Sequence, residues 1–496
     1  MLANPNTNDL SETPASGAAT ANKFYLATWR WHFYAGLYVV PFILMLALTG
    51  LVILFQPQLE DFQYRDRIFV APQSKVLPAS TQLEAARKAY PDASITRFRP
   101  NTAANRSSQV ALKTKDEREL NVYVNPYTAA VLGEVNNADR WGAIASNIHG
   151  SFWLGDLGDR LIEIAAGFGI ILVVTGLYLW WPRNAQGLYG TFIPRFNMGK
   201  RTMWRDLHTV PGFYISIALL FFFVSGMAWT GIWGEKFVQA WNTFPAALWN
   251  EVPKSDANKT VAASPAEPHD MATMNDPKTM GDMNRPGEKV VPWNLEQSMM
   301  PASGSMAGKP GIPAGVGVNL NTVTQYAREN GFGDGFWVAL PADKTGVWTL
   351  SASTMSGDTK DARKDLTIHM DQYSGKVLAT VAWKDYSLGA KAMAAGIALH
   401  QGNYGWWNQL LGAISCLMVL LMTASGLAMW WIRRPKGAFR LAAPPMPANL
   451  PMWKGAVVLM LGLSLAFPLV GLTLLGVLAF DWLVLSRIKP LKAIFS

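Results

Sequence analysis

The chain has few charged residues and almost no cysteine for its length. Charged residues make up 16% of its 496 residues, whereas soluble domains contain about 25%. The single cysteine, Cys416, excludes a disulfide or a cysteine-ligated metal cluster formed within the chain. There is no glycine-rich dinucleotide fingerprint between a predicted strand and a helix, and no nucleophile–histidine–acid arrangement. The sequence therefore predicts neither a flavin or nicotinamide module nor a hydrolase.

Long apolar runs are abundant, because half of the residues are hydrophobic. Four runs, at about 33–55, 159–181, 209–232 and 408–432, are each long enough to cross a hydrocarbon core of about 30 Å. A fifth apolar region, 452–486, contains Pro468 near its middle, so we predict either one helix or a hairpin there. Residues 1–22 are polar and are predicted to be disordered, without a cleaved signal peptide.

Basic residues are concentrated in two short loops. The stretches 183–205 and 433–454 each carry five basic residues and no acidic residue, whereas 57–140 and 233–395 carry both signs. The positive-inside rule places the N-terminus and both short loops in the cytoplasm and the two long segments outside. We therefore predict a multi-pass protein of a bacterial inner membrane with two periplasmic segments. The formal charge of +9 is explained by these loops, so a nucleic-acid partner is not predicted.

Four of the six histidines occur at matching positions of an internal repeat. His32 and His208 are followed at identical spacing by the same residue types: Gly36, Tyr38, Thr49 and Gly50 in one case, and Gly212, Tyr214, Ser225 and Gly226 in the other. His149 precedes Thr175-Gly176 and Trp180-Trp181, and His400 precedes Ser425-Gly426 and Trp430-Trp431. The chain is therefore interpreted as two copies of one unit.

Histidines in membrane helices indicate function, because a polar side chain is costly there. The predicted topology places His32 and His208 near the cytoplasmic face, and His149 and His400 near the outer face. A structural zinc site takes four ligands, whereas bis-histidine iron needs two. We therefore predict two haem b groups, one for each pair. The alternative for any single histidine is a buried residue with satisfied hydrogen bonds.

Three arginines lie close to these histidines and are candidates for binding haem propionates. Arg30 and Arg205 precede the cytoplasmic histidines, and Arg160 lies near the outer pair. A guanidinium group pairs well with carboxylates, although these arginines could instead be interfacial charges that fix the topology. Glu163, one turn inside the second span, could bind a propionate, relay protons or pair with Arg160.

The two outer segments have similar patterns. Residues 80–134 and 318–382 each read as a helix followed by strands, and "LNVYVNPYTAAVLGEV" aligns without a gap to "LTIHMDQYSGKVLATV". Two small α+β units are therefore predicted, with His369 on a strand as a structural residue.

An insertion at 250–315 is predicted to be a flexible loop, and its methionines suit Cu(I) if they are not a chance cluster. It contains His269, Met271, Met274, Met280, Met283, Met299, Met300 and Met306.

The helix motifs resemble a known family. They are "WRWHFYAGLYVVPFILMLALTG", "IHGSFWLGDLGDRLIEIAAGFGIILVVTGLYLWWPR", "WRDLHTVPGFYISIALLFFFVSG" and "LHQGNYGWWNQLLG" with "ASGLAMWWIRRP". Over roughly 23–435 they resemble the PepSY-associated transmembrane helix family, which includes iron-regulated inner-membrane proteins and ferrisiderophore reductases. The outer units resemble PepSY domains. The resemblance implies a haem-bearing membrane protein that passes electrons to a periplasmic ferric chelate.

The expected fold is an α-helical integral membrane bundle of four core helices in two repeats, a C-terminal helix or hairpin, and two α+β periplasmic PepSY-like domains. The expected order is a cytoplasmic N-terminus (1–22), transmembrane helix 1 (23–56), periplasmic domain 1 (57–140), transmembrane helix 2 (141–183), a cytoplasmic loop (184–203), transmembrane helix 3 (204–233), periplasmic domain 2 (234–395), transmembrane helix 4 (396–433), a cytoplasmic loop (434–451) and the C-terminal region (452–496).

The expected function is that of an inner-membrane di-haem b oxidoreductase that reduces a periplasmic ferric siderophore or another metal chelate. Its electron donor would be a cytoplasmic reductase or quinol, because the chain has no nucleotide module of its own. Two alternatives remain open. One is a haem-free scaffold whose outer domains bind a protease or a peptide, and the other is a cupric reductase that uses the methionine-rich loop.

Overall fold

The computed structural model describes residues 16–183, 187–238, 244–248, 252–256, 303–434, 441, 443–444, 454–485 and 487–488. These residues form two compact units. The first contains residues up to 47, 154–227 and 415 onwards, and the second contains 48–153 and 228–414. Most of the methionine-rich insertion, including His269, lies outside the described residues.

The helices are α1 (Ser16–Leu54), α2 (Gln56–Gln63), α3 (Arg65–Ile68), α4 (Ala79–Ala89), α5 (Trp141–Ser151), α6 (Gly155–Trp180), α7 (Lys200–Met227), α8 (Leu320–Glu329), α9 (Leu388–Gln401), α10 (Trp406–Arg433), α11 (Lys454–Ala466) and α12 (Pro468–Phe480). Four of them, α1, α6, α7 and α10, are long and apolar enough to cross a membrane. They correspond to the four spans predicted from the sequence.

The first helix begins earlier than expected. Helix α1 starts at Ser16, so residues 16–22, which were predicted to be disordered, are helical in the structure. This segment reads Ser-Gly-Ala-Ala-Thr-Ala-Asn, and its alanines favour continuation of the helix towards the N-terminus. The prediction for residues 1–15 lies outside the described residues.

The second and fourth spans are each preceded by a separate helix. His149 lies on α5 and His400 lies on α9, rather than on the spanning helices α6 and α10. Helix α5 ends because Phe152 and Trp153 adopt left-handed backbone angles, with φ of 51° and 57°. Helix α9 ends at Gly402, whose φ of 81° costs a glycine little. The segments 141–183 and 396–433, each assigned to one transmembrane helix, therefore each contain two helices, of which α6 and α10 correspond to the predicted apolar spans.

The C-terminal apolar region forms two helices of 13 residues each, α11 and α12. They are separated at Phe467, whose backbone angles (φ −129°, ψ 82°) lie outside the helical region. Pro468 follows immediately, and proline disfavours helical geometry in the residue before it. Val470 of α12 packs against Gly167 of α6 within the first unit.

The second unit contains one antiparallel sheet. Its strands are β1 (Ser94–Arg99), β2 (Ser108–Lys113), β3 (Glu119–Val124), β4 (Val131–Asn136), β5 (Trp337–Ala339), β6 (Val347–Ala352), β7 (Leu366–Asp371) and β8 (Val377–Ala382). Their order is β4-β3-β2-β1-β5-β6-β7-β8. The two sets of four strands join where β1 pairs with β5, with Phe98 opposite Val338.

One face of the sheet carries a single hydrophobic core, which α4 and α8 cover. Phe98 and Val338, at the junction, belong to the same buried cluster as Leu83 of α4 and Val323 of α8. Asn321 at the start of α8 exchanges hydrogen bonds of 2.8 Å with Ser80 of α4. The strands and helices predicted for 80–134 and 318–382 are confirmed. These two α+β segments, however, share one sheet and one core within the second compact unit. The physical reason is that β1 and β5 would each expose an unpaired edge if they stood alone.

Candidate functional site

In the first unit, the structure brings His32 of α1 and His208 of α7 together. Their ring centres are 6.3 Å apart and their ring planes are perpendicular, at 90°. His32 lies two residues after Arg30, inside α1, and His208 lies three residues after Arg205, in the N-terminal part of α7. Residues 176 positions apart in the chain are thus neighbours in space.

The Nδ1 atom of each of these rings forms a hydrogen bond to a residue on a neighbouring helix, which is α6 for His32 and α10 for His208. His32 Nδ1 lies 2.9 Å from Thr175 Oγ1. The single hydroxyl proton of Thr175 is donated to Ile171 O at 2.6 Å, so the hydroxyl oxygen accepts from His32 Nδ1–H. This arrangement leaves the lone pair of His32 Nε2 available to a metal, as in histidine ligands with an oriented second nitrogen.

His208 is fixed in the same tautomer by a different acceptor. Its Nδ1 donates to Met422 O at 2.9 Å, and Ser425 Oγ lies 3.3 Å from the same nitrogen. A carbonyl oxygen can only accept, so the proton is on Nδ1 and Nε2 carries the lone pair. Neither Nε2 has a hydrogen-bond partner among the described residues. Both histidines of the pair are therefore prepared as ligands.

Glycines let the partner helices approach these rings. A Cβ atom placed on Gly176 would lie 3.3 Å from His32 Cε1, and one on Gly426 would lie 3.4 Å from His208 Cε1. Gly212, one turn after His208, packs against a helix instead, because its Cβ would lie 3.0 Å from Met422 Cε. The histidine rings therefore rest on the small residues of α6 and α10.

In the second unit, His149 of α5 and His400 of α9 form a similar pair. Their ring centres are 6.4 Å apart and their planes meet at 89°. His149 Nδ1 lies 2.8 Å from Thr49 Oγ1 at the end of α1. Both pairs thus combine nearly perpendicular imidazole rings at nearly the same separation, and both use a threonine on another helix.

The spacing of both pairs fits a single metal ion bound between the rings. Two metal–nitrogen bonds of about 2.0 Å, with about 1.1 Å from each nitrogen to its ring centre, place the centres about 6.2 Å apart. The observed separations are 6.3 and 6.4 Å. A donor set of two imidazoles would suit haem iron, which takes its other ligands from the macrocycle. His32 with His208 and His149 with His400 would hold the two groups.

A structural zinc site is a poor match for these pairs. It needs about four ligands, and the described part of the chain contains no group of three or more histidine, cysteine, aspartate or glutamate side chains that could hold a metal ion. The two-histidine arrangement therefore favours a metal whose remaining ligands come from a prosthetic group.

The three arginines singled out from the sequence are all engaged with the protein. Arg205 binds Asp206 at 3.0 Å, and Arg160 binds the neighbouring Asp159 at 2.5 Å. Arg30 donates to Pro444 O at 2.6 Å and to Tyr34. Each guanidinium group thus has a partner within the protein, and a propionate would share the arginine with that partner.

Asp206 and Glu163 are acidic side chains buried within the first unit. Asp206 is fully buried and also accepts from Arg195, so it forms the centre of a three-residue ion cluster. Glu163 of α6 is only 1% exposed. Because a buried carboxylate needs compensating interactions, both positions are specific features of the helix bundle.

His369 differs from the four paired histidines because both of its ring nitrogens are used. Its Nε2 donates to Ala247 O at 2.8 Å, and its Nδ1 lies 2.9 Å from Thr349 Oγ1. Burial lowers the pKa of His369 below its usual value, which favours the neutral ring. His369 is therefore a structural residue of the sheet and not a metal ligand.

In the sequence, the hydroxyl residues Thr49, Thr175 and Ser425 stand out only as matching positions of the repeat. The structure shows that each lies within hydrogen-bond distance of a paired histidine. A signal for this role was present, because each hydroxyl residue directly precedes a glycine in an apolar helix. A threonine or serine directly before a glycine in an apolar helix is the sequence pattern that would have identified these three residues as hydrogen-bond partners of the histidines.

Comparison with known proteins gives one match of high coverage. The model of the PepSY-associated TM region family matches residues 29–433, which include all four paired histidines. A search of curated proteins finds no match. Since the match extends over most of the 496 residues, the chain belongs to the family of proteins with a PepSY-associated transmembrane region.

Proposed function

We propose that the protein is an inner-membrane di-haem b oxidoreductase that reduces a periplasmic ferric chelate, such as a ferric siderophore. In this proposal, the N-terminus and the two basic loops are cytoplasmic. The two sets of four strands are two copies of a PepSY-like unit on the periplasmic side. A cytoplasmic reductase or quinol gives up one electron for each ferric ion that becomes ferrous.

The observation that carries the proposal is the geometry of the two histidine pairs. Each compact unit contains a pair of nearly perpendicular imidazole rings, with centres 6.3 Å apart in the first unit and 6.4 Å apart in the second. Two unrelated buried histidines would have no reason to repeat this spacing. In each pair, one histidine also has its Nδ1 within hydrogen-bond distance of a threonine hydroxyl on another helix.

Each haem would supply an iron that alternates between the ferric and ferrous states, which is the one-electron chemistry that a chain with one cysteine and no nucleotide module lacks. Neighbouring residues of the chain determine the orientation and the protonation state of the histidine ligands. Thr175 and Met422 O fix the proton of His32 and His208 on Nδ1 and orient Nε2. The surrounding apolar helices would limit the access of water to the bound group.

Reduction would release iron because Fe(II) is bound less tightly than Fe(III) by hard oxygen ligands. The reaction changes only the charge of the metal ion, so it needs no nucleophile and no general acid in the protein. This agrees with the sequence, which predicts no hydrolytic residues. The protein must hold an acceptor close to His149 and His400, because these are the histidines assigned to the periplasmic side.

Visible spectra of the detergent-purified protein test the proposal. We expect two low-spin haem b groups per chain, measured as pyridine haemochrome, in the wild type and in a His269→Ala control. His32→Ala or His208→Ala should each remove one haem, and His149→Ala or His400→Ala should remove the other and abolish ferric-chelate reduction.

Absence of visible absorption after expression with ample haem would contradict the proposal and favour a haem-free scaffold that binds a protease or a peptide. Two haems that persist in all four variants would also contradict the assignment of the ligands. Cupric reduction that is lost on deletion of residues 268–306, with no ferric reduction, would favour the cupric reductase.

A further inference from the structure

The second unit contains a polar cavity of about 410 Å³ on the sheet face opposite to α4 and α8. Arg97 and Arg99 reach it because they flank Phe98, which points into the core on the other face. Its volume is within the range of about 300–1,000 Å³ that small-molecule sites have. No acidic side chain is among the described residues that line it.

Three arginines give the cavity a positive charge. Arg99 is paired with Asp358 at 3.2 Å, and Arg140 lies 3.4 Å from Glu60. Arg97 is exposed, packs on the ring of Trp337 at 4.8 Å, and forms no ion pair with any described residue. Two acidic side chains therefore compensate two of the three guanidinium groups, and one positive charge remains for a ligand.

Several buried polar atoms of the cavity wall have no partner. Asn121 is 6% exposed, and its Oδ1 has no hydrogen-bond partner among the described residues. The same holds for the Nε atoms of Arg99 and Arg140. Buried polar atoms without partners are costly. The two guanidinium N–H groups need an acceptor, which an oxygen-rich ligand offers, and the amide oxygen of Asn121 needs a donor, such as a hydroxyl group of the same ligand.

Burial also changes the pKa of two charged groups beside the cavity. It lowers the pKa of Arg99 below its usual value and raises the pKa of Asp358 to about 6, and the charge of each opposes the shift of the other. Both charged forms are thus poorly hydrated in this part of the protein. An anion in the cavity would stabilise the guanidinium groups further.

The cavity is close to one of the paired histidines. Gly142, Ala143 and Ser146 of α5 form part of its wall. His149 follows Ser146 by three residues on the same helix, which is one helical turn, or about 4.5 Å of rise. A ligand in the cavity would therefore lie within a short distance of the His149–His400 pair.

We propose that this cavity is the acceptor site and that it binds an anionic, carboxylate-bearing ferric chelate through Arg97, Arg99, Arg140 and Asn121. This inference rests on the proposed function, because it names the substrate class and the binding residues of the same reaction. The arginines donate to the carboxylate oxygens, and Asn121 Oδ1 accepts from a hydroxyl group of the chelate.

Binding of gallium citrate to the full-length protein in detergent, measured by isothermal titration calorimetry, tests the site without electron transfer, because Ga(III) is not reduced. We expect Arg97→Gln to weaken binding roughly tenfold, which is the loss of one charge-assisted contact. Asn121→Ala should weaken it as well. Arg118→Gln, which removes an exposed arginine that does not line the cavity, should leave binding unchanged.

Reduction of ferric citrate by the dithionite-prereduced protein gives the second readout. We expect Arg97→Gln to raise the ferric citrate concentration that gives half the maximal rate of protein oxidation, with the maximal rate nearly unchanged, whereas Arg118→Gln should change neither value. Binding that depends on Arg97 without any reduction would support the cavity and refute the proposed function. Reduction of ferric citrate that does not depend on Arg97 would overturn the cavity assignment alone. Equal affinity for free citrate and gallium citrate would show a site for a metal-free carboxylate and would also overturn it.

Discussion

At the scale of single residues, the tautomer of a histidine and the hydrogen bonds of its ring decide whether Nε2 can bind a metal ion. His32 and His369 are both buried near a threonine, but only His369 uses both ring nitrogens in hydrogen bonds. The hydroxyl of Thr175 is already committed as a donor to Ile171 O. It therefore directs the proton of His32 to Nδ1 and leaves Nε2 as a ligand.

Removal of the Thr175 hydroxyl is expected to weaken haem binding at the His32–His208 pair. We expect Thr175→Ala to lower the affinity by about 10–100-fold, which is typical when a ligating histidine loses its outer hydrogen bond. The midpoint potential of this haem should rise, because a less basic imidazole stabilises ferric iron less. Haem titration and a potentiometric titration measure both effects.

Thr175→Ser keeps the hydroxyl and should restore both values, and the haem at His149 and His400 serves as an internal reference. An unchanged potential in Thr175→Ala would mean that another group orients His32. The sequence alone could not reveal this role, because Thr175 and His32 are 143 positions apart. Their contact depends on how α1 and α6 pack.

At the scale of elements, glycine determines how closely the helices pack in the first unit. A Cβ atom on Gly169 of α6 would lie 2.5 Å from Cζ of Phe223 on α7, far inside a normal contact. Phe223 is 8% exposed, so its ring has little room to move. The repeat in the sequence marked the histidines but not Gly169, which has no conspicuous motif around it.

Gly169→Ala is expected to destabilise the packing of α6 on α7. Overpacking of this kind costs about 1–3 kcal/mol, so thermal unfolding in detergent should occur at a lower temperature than in the wild type. Gly476→Ala is the matched control, because no atom lies within 4 Å of a Cβ placed there. That change should be neutral or slightly stabilising, by up to about 1 kcal/mol, since alanine favours helix. Equal unfolding temperatures for the two variants would contradict the role of Gly169.

The division of the predicted spans also belongs to this scale. The apolar runs at 159–181 and 408–432 correspond to α6 and α10, but the polar and glycine residues before them carried no signal that α5 and α9 are separate helices. The left-handed backbone of Phe152 and Trp153 ends α5. Neither residue type favours that conformation, and only the surrounding structure can impose it.

At the scale of the whole molecule, the charge pattern predicts which side of the membrane each loop faces. The loop between α6 and α7 and the region after α10 are rich in arginine and lysine, and such loops remain in the cytoplasm. The sheet of the second unit should then face the periplasm. The four long helices are apolar enough to cross a membrane, which agrees with this arrangement of the loops.

Cysteine labelling checks this topology. In a Cys416→Ser background, we expect Thr114→Cys, in the turn after β2, to react with a membrane-impermeant maleimide in intact spheroplasts. Gly187→Cys, in the loop between α6 and α7, should react only after the membrane is permeabilised. The opposite pattern would invert the topology and place the cavity on the cytoplasmic side.

The sequence by itself determined the four apolar helices, the helix and strand positions of the outer segments, and which four histidines form equivalent positions. These features depend on local periodicity and on an internal repeat, both of which can be read along the chain. The tertiary structure alone decided that β1 pairs with β5 to make one sheet, that Thr175 orients His32, and that Arg97, Arg140 and Asn121 meet at one cavity. Each of these depends on contacts between residues that are distant in the chain, and no local pattern encodes which of them become neighbours.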